Sequence, residues 1–142
     1  VPISAKDLVE KDYITLGPEE TADRAARLMK ERRHGFVIVS EEGRPLGIVT
    51  EWDFIEKVLG EGKDASRVRL SEMMSTHLVS IEAKATLDEV AQLMAQRGVR
   101  RVLVFEGDRL LGIVTARTIL ARLKEYVDKV SSQIARLQTP PM

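Results

Sequence analysis

Apolar and polar positions along this chain fall into blocks that come twice. Tyr13-Ile14-Thr15-Leu16 and Leu78-Val79-Ser80-Ile81 alternate, as short strands do. Phe36-Val37-Ile38-Val39 and Val102-Leu103-Val104-Phe105 are continuous apolar runs, the pattern of strands covered on both faces. Each run leads into a tight turn, Glu42-Gly43 or Gly107-Asp108. A further apolar stretch, Leu46 to Val49 or Leu110 to Val114, then pairs back as a hairpin. Between the short strand and the run lies a helical period opened by a capping residue, Thr21 or Thr86. In the second, Leu87, Val90, Ala91 and Met94 form one apolar stripe. In the first the matching positions are mostly alanine, which predicts a closer approach of helix to sheet. Ser4 and Ser71 are the expected caps of single helical turns over Ala5 to Val9 and Glu72 to Ser75.

The blocks are a true internal repeat. A shift of 65 residues lays Thr21, Asp23, Ala26, Leu28, Met29 and Arg32 on Thr86, Asp88, Ala91, Leu93, Met94 and Arg97. The same shift lays Val37, Val39, Arg44, Leu46 and Gly47 to Thr50 on Val102, Val104, Arg109, Leu111 and Gly112 to Thr115. Each copy reads β-α-β-β-α, a three-stranded sheet with both helices available to one face. Neither copy, at roughly 55 residues, buries enough surface to stand comfortably alone. The expected fold is therefore α/β, of the α+β kind: two such repeats packed together about a pseudo-twofold axis. The expected boundaries are 1–60 for the first repeat, 61–67 for a polar linker, 68–124 for the second repeat, and 125–142 for a helical extension and tail.

That extension carries a pattern of its own. Leu120, Leu123, Val127, Val130, Ile134 and Leu137 are spaced three and four apart in alternation, a heptad seam, and Thr139-Pro140-Pro141 stops it. The seam either packs on its own domain or serves a partner, as a dimer clasp or a tie to another domain. The partner reading is preferred.

Composition narrows the classes. With 22 basic and 22 acidic side chains the net charge is zero, so no bulk field attracts nucleic acid or an anionic membrane. No cysteine is present, which excludes disulfides, thiolate zinc sites and a cysteine nucleophile and fits a cytoplasmic location. No run approaches the roughly 18 apolar residues of a spanning helix, and Val1-Pro2-Ile3-Ser4 does not read as a signal peptide. Aromatic content is 4%, too low for base-stacking platforms.

Chemistry concentrates where each repeat turns from strand to helix. Gly47-Ile48-Val49-Thr50-Glu51-Trp52-Asp53 places Thr50 at a helix N-cap and Asp53 in its first turn. The pair can be a capping box, or Asp53 can accept two hydrogen bonds from vicinal sugar hydroxyls. Trp52 can pack or stack. In the second copy, Gly112-Ile113-Val114-Thr115-Ala116-Arg117-Thr118, the acid is a threonine. Arg100, Arg101 and Arg117 could supply counter-charge to a phosphate, or form a solvated basic rim. His34 and His77 lack the spacing of a metal pair, and no nucleophile elbow or P-loop is present, so an enzyme is not expected.

Two β-α-β-β-α copies that each end in Gly-Ile-Val-Thr before a helix resemble a tandem CBS-domain pair, the family named after cystathionine beta-synthase, over about residues 1 to 124. The resemblance implies a stand-alone regulatory or energy-sensing module with AMP, ADP or ATP between its repeats, and S-adenosylmethionine as another ligand. By that resemblance Asp53 holds ribose hydroxyls, Thr50 assists and Ile48 flanks the adenine. Trp52 lies in the same motif. The other repeat contributes Ser80, Val99, Arg100, Arg101 and Arg117. A second, degenerate site comprises Thr15, His34, Gly35 and Thr115, and Thr118 should weaken its grip on ribose. No cofactor or metal is required. The expected assembly is a homodimer through the repeat helices and the C-terminal helix, acting on an unidentified regulated protein. A ligand-free structural module and a nucleic-acid binder are the rival readings.

Overall fold

The computed structural model describes residues 3–138. They divide into two compact units, one from 12–78 and one from 79 onward joined by the leading segment up to Lys11. In the first unit β1 (Ile14–Leu16), β2 (Phe36–Glu41) and β3 (Arg44–Thr50) form a sheet of that order. β1 runs parallel to β2, reached through the helix α2 (Ala22–Arg32), and β3 pairs antiparallel through a tight hairpin. α3 (Glu51–Phe54) continues into a π turn, Ile55–Leu59, and α4 (Leu70–Met73) completes the unit. The second unit repeats the plan. It holds α1 (Ala5–Leu8), β4 (Ser80–Glu82), α5 (Leu87–Arg97), β5 (Arg101–Glu106), β6 (Arg109–Thr115) and α6 (Ala116–Gln138), with sheet order β4-β5-β6.

The apolar runs became the central strands because both their faces can be buried. Val37 and Val39 join Ala22, Ala25, Met29 and Val49 in the first core, and Val102 and Val104 join Val90, Met94 and Val114 in the second. Ile38 and Leu103, on the opposite faces, are buried too. The hairpins share one irregularity: the register jumps between Val39 and Ser40 and between Val104 and Phe105, a bulge that raises twist. Their turns differ. Glu42 and Gly43 both adopt left-handed backbone, with φ of 52° and 78°, whereas the second turn uses Gly107 at 61°.

The leading segments explain why each Gly-Ile-Val-Thr needs its glycine. Residues 3–10 belong with the second repeat's strands, and 69–75 with the first's. Ser75 bridges Ile48, and Glu10 bridges Ile113. A Cβ on Gly47 would lie 2.7 Å from the Ser75 carbonyl oxygen, and one on Gly112 would lie 2.6 Å from that of Glu10. Neither approach leaves room for a side chain.

Several local expectations shift. α4 is capped at Arg69 rather than Ser71, because Leu70 and Met73 bury one face and the Glu72 carboxylate reaches back to the Arg69 N–H at 3.1 Å. Thr21 stands at its N-cap position, but its hydroxyl donates to Asp23 instead of accepting a helix N–H. Thr86 accepts from the Glu89 N–H at 3.1 Å, as expected of a cap. β4 begins later than the alternation predicts, at Ser80. On α5 Val90 and Met94 are buried but Ala91 is exposed, so the apolar stripe is wider than its core-facing part. The proline stop lies outside the described residues.

Candidate functional site

The first strand-to-helix corner is built from backbone outward. Phe36 opposes Thr50 across the hairpin, and the Gly35 carbonyl accepts the Glu51 N–H at 3.2 Å, fixing where the strand ends. Thr50 is extended and begins the helix as its N-cap. Its N–H donates to Asp53 Oδ2 at 2.8 Å, and its hydroxyl sits 3.3 Å from the same oxygen. Lys57, one turn on, places Nζ 3.1 Å from Asp53 Oδ1 and donates to the Met73 carbonyl at 2.8 Å. One ammonium thus ties the corner to α4.

Reach-back carboxylates are common here: Asp7 takes the Ser4 N–H at 3.0 Å, and Glu89 takes the Thr86 N–H at 3.0 Å. Asp53 differs by burial. It is the one buried charged side chain among the described residues, at 8% exposure. A carboxylate offers about four acceptor positions. Two are filled by good contacts; the Thr50 hydroxyl contact is longer than an O–H···O bond prefers and yields easily.

In the second unit the corner is closed by hydroxyls. Thr115 N–H donates to Thr118 Oγ1 at 2.9 Å, Thr118 N–H donates to Thr115 Oγ1 at 3.1 Å, and the Thr118 hydroxyl donates to the Thr115 carbonyl at 2.9 Å. The box satisfies itself and carries no charge.

The remaining predicted residues sort by unit. Ile48, Thr50, Trp52 and Asp53 lie in the first, with Ile48 half-buried and Trp52 62% exposed, so Trp52 does not serve as core packing there. Thr15 is exposed on β1 opposite Ile38. His34, half-buried, sets its ring edge-on to Phe36 at 6.4 Å between centroids, beside Gly35. Ser80, Val99, Arg100, Arg101, Thr115 and Arg117 lie in the second. There Arg101 opposes Thr115 across the hairpin, and the Arg100 carbonyl accepts the Ala116 N–H at 3.0 Å. Arg117 is exposed in the first turn of α6, so three basic residues gather at that corner. Ser80 is exposed and Val99 is half-buried.

Lys57 escaped the sequence reading. Its signal was available: a basic residue four after an acid on one helix is a paired spacing. An apolar groove of about 560 Å³ in the second unit, lined by Ile3, Leu87, Ala91, Ile119, Leu123 and Tyr126, includes none of the predicted site residues. No group of three or more His, Cys, Asp or Glu residues able to hold a metal occurs among the described residues, and no helix there is long and apolar enough to cross a membrane.

Comparison with known proteins identifies the fold. The CBS domain family model matches twice, at residues 5–60 and 70–125, and the chain belongs to that family. It is 33% identical to an uncharacterised protein of Methanopyrus kandleri across 96% of this chain and 70% of that one. It is 31% identical to hypoxic response protein 1 of Mycobacterium tuberculosis, covering 87% of each. Among solved structures it resembles the hexameric CBS-CP12 protein from bloom-forming cyanobacteria, with 34% identity, a TM-score of 0.73, and coverage of 83% of this chain and 69% of that one. CBS-domain proteins are in general regulatory, ligand-binding modules.

Proposed function

We propose that this chain is a non-catalytic regulatory module that binds an adenosine-containing ligand, AMP, ADP or ATP, through Asp53. The burial of Asp53 at the end of Gly-Ile-Val-Thr carries the reading. A vicinal diol needs two acceptors held side by side. Asp53 supplies them once the long Thr50 hydroxyl contact yields, while Lys57 keeps the carboxylate oriented. Arg100, Arg101 and Arg117 are the candidate phosphate-binding side chains, and Ile48, Trp52, Ser80 and Val99 are the remaining candidate ligand-binding residues. The Thr118 corner has no carboxylate to offer, so the site that includes Thr15, His34, Gly35 and Thr115 is the weaker one. Binding would shift the geometry of a homodimer formed through the repeat helices and α6, by no more than the ligand's difference in affinity between the two states.

A structural, ligand-free module is the second reading, and it too has an observation in its favour: Asp53 is already engaged by Thr50 and Lys57. Isothermal titration with AMP, ADP, ATP and S-adenosylmethionine separates the two. The nucleotide reading expects a Kd below about 1 mM, near −4 kcal/mol, and at least a tenfold loss in Asp53→Asn. Heat from S-adenosylmethionine alone would change the ligand but keep the site. No heat from any of the four would leave the structural module standing.

A further inference from the structure

Beyond residue 125, where the second family match ends, α6 runs on to Gln138 as part of a 23-residue helix. Its base is held: Ile119 packs on the second core, and the helix touches β6 and α1. Beyond the base its apolar seam is open. Leu120, Val127, Ile134 and Leu137 are exposed, the last at 84%, and only Val130 on the seam is half-buried. Helices in proteins owe most of their stability to packing an amphipathic face rather than to propensity. The open face therefore needs a cover.

We propose that the cover is the same helix of a second copy of this chain, paired as a parallel two-stranded coiled coil over residues 120–137. This deepens the self-association proposed above by naming the surface and pairing mode of α6, and it does not depend on any nucleotide. Position identities choose the occupant. With Leu120 at a, the a set is Leu120, Val127 and Ile134, and the d set is Leu123, Val130 and Leu137. β-Branched residues at a with leucine at d favour two parallel strands, and two of each three positions here obey that rule. The flanking e and g positions exclude the usual obstacle to self-pairing. Ile119, Lys124, Tyr126, Ser131 and Gln133 include one charge, whereas Arg122, Glu125, Asp128, Lys129 and Arg136 all fall on the outer positions. A helix built for a different partner normally advertises it with charged e and g residues. This one presents an almost neutral border that an identical helix can meet without repulsion.

The absence of cysteine makes the test clean. Val127→Cys and Ile134→Cys, each in the full chain, are oxidised mildly and resolved without reductant, with Asp128→Cys on the outer face as control. The seam variants should give a covalent dimer at least ten times faster than the control. Light scattering of the parent chain should give a mass of two copies or a multiple of two. Seam cysteines that link no faster than the control, in a chain that is still dimeric, would overturn the coiled coil and leave self-association through the repeat helices. A monomeric parent would remove both.

Discussion

At the end of β3, Thr50 meets a carboxylate; at the end of β6, Thr115 meets a hydroxyl. The two corners share hairpin register, bulge, and a strand-entry carbonyl that accepts the first helix N–H. The Thr118 hydroxyl spends its proton on the Thr115 carbonyl, and the box offers no carboxylate to a ligand. The Thr50 corner holds a buried negative charge and needs a second residue, Lys57, to tolerate it. Arg122 stands at the matching place in the second repeat, where it reaches Glu125 at 3.9 Å instead. The two repeats share the corner's backbone and differ in its side chains, Asp53 and Lys57 against Thr118 and Arg122.

If the scaffold is shared, breaking it should cost both corners alike. Gly47→Val and Gly112→Val each push a side chain into a backbone carbonyl, at 2.7 and 2.6 Å from Cβ onward. Each should destabilise by about 3 kcal/mol, the upper end of overpacking effects, read as a lower urea midpoint. Tolerance at one glycine alone would mean that the leading segments do not cross the two units in the same way.

The chemistry, by contrast, should separate them. Asp53→Ala removes the acceptor of the Thr50 N–H and strands Lys57, costing about 2 kcal/mol, while Thr118→Ala loses a cap worth about 1 kcal/mol. Lys57→Met should cost about 1 kcal/mol through its charge-assisted bonds to Asp53 and Met73, and Arg122→Met close to nothing. Equal costs for Asp53→Ala and Thr118→Ala would make Asp53 an ordinary cap.

Much of this was legible in the residues. Apolar runs and turn residues gave strands, hairpins and the helix of each repeat, because period and turn chemistry are local properties. The Thr50–Asp53 pairing was legible for the same reason. The exchange of leading segments was not: Ser75 against Ile48 and Glu10 against Ile113 are single bridges far apart in sequence, and no periodicity marks them. The glycine of each motif was visible as a signature, but its cause lies in those crossings. The π turn over Ile55–Leu59 was hidden as well, since Glu56-Lys57-Val58-Leu59 reads as plain helix. Gly60 is the trace it leaves, with its N–H 2.7 Å from the Ile55 carbonyl oxygen.

The finest distinction between a carboxylate box and a hydroxyl box is that only the first can titrate. In the second unit both kinds occur, Ser4 with Asp7 and Thr115 with Thr118. The Ser4 N–H, and then its hydroxyl, hold the Asp7 carboxyl below the ordinary carboxylate value. The Ser66 hydroxyl and N–H do the same to Asp64, and the Thr21 hydroxyl to Asp23. A depressed folded-state pKa contributes stability that is present above the unfolded value and is lost as pH falls through the folded one. Stability measured by urea from pH 6 downward should therefore begin to fall near the unfolded carboxylate value, about pH 4, and continue below it. Asp7→Asn should lower the plateau slightly and flatten that fall, because the side chain no longer binds a proton on unfolding. Thr118→Ala should lower the whole curve and leave its slope untouched. A changed slope in Thr118→Ala would mean that the hydroxyl box is coupled to a titrating group, and the two boxes would then not differ in the way their hydrogen bonds imply.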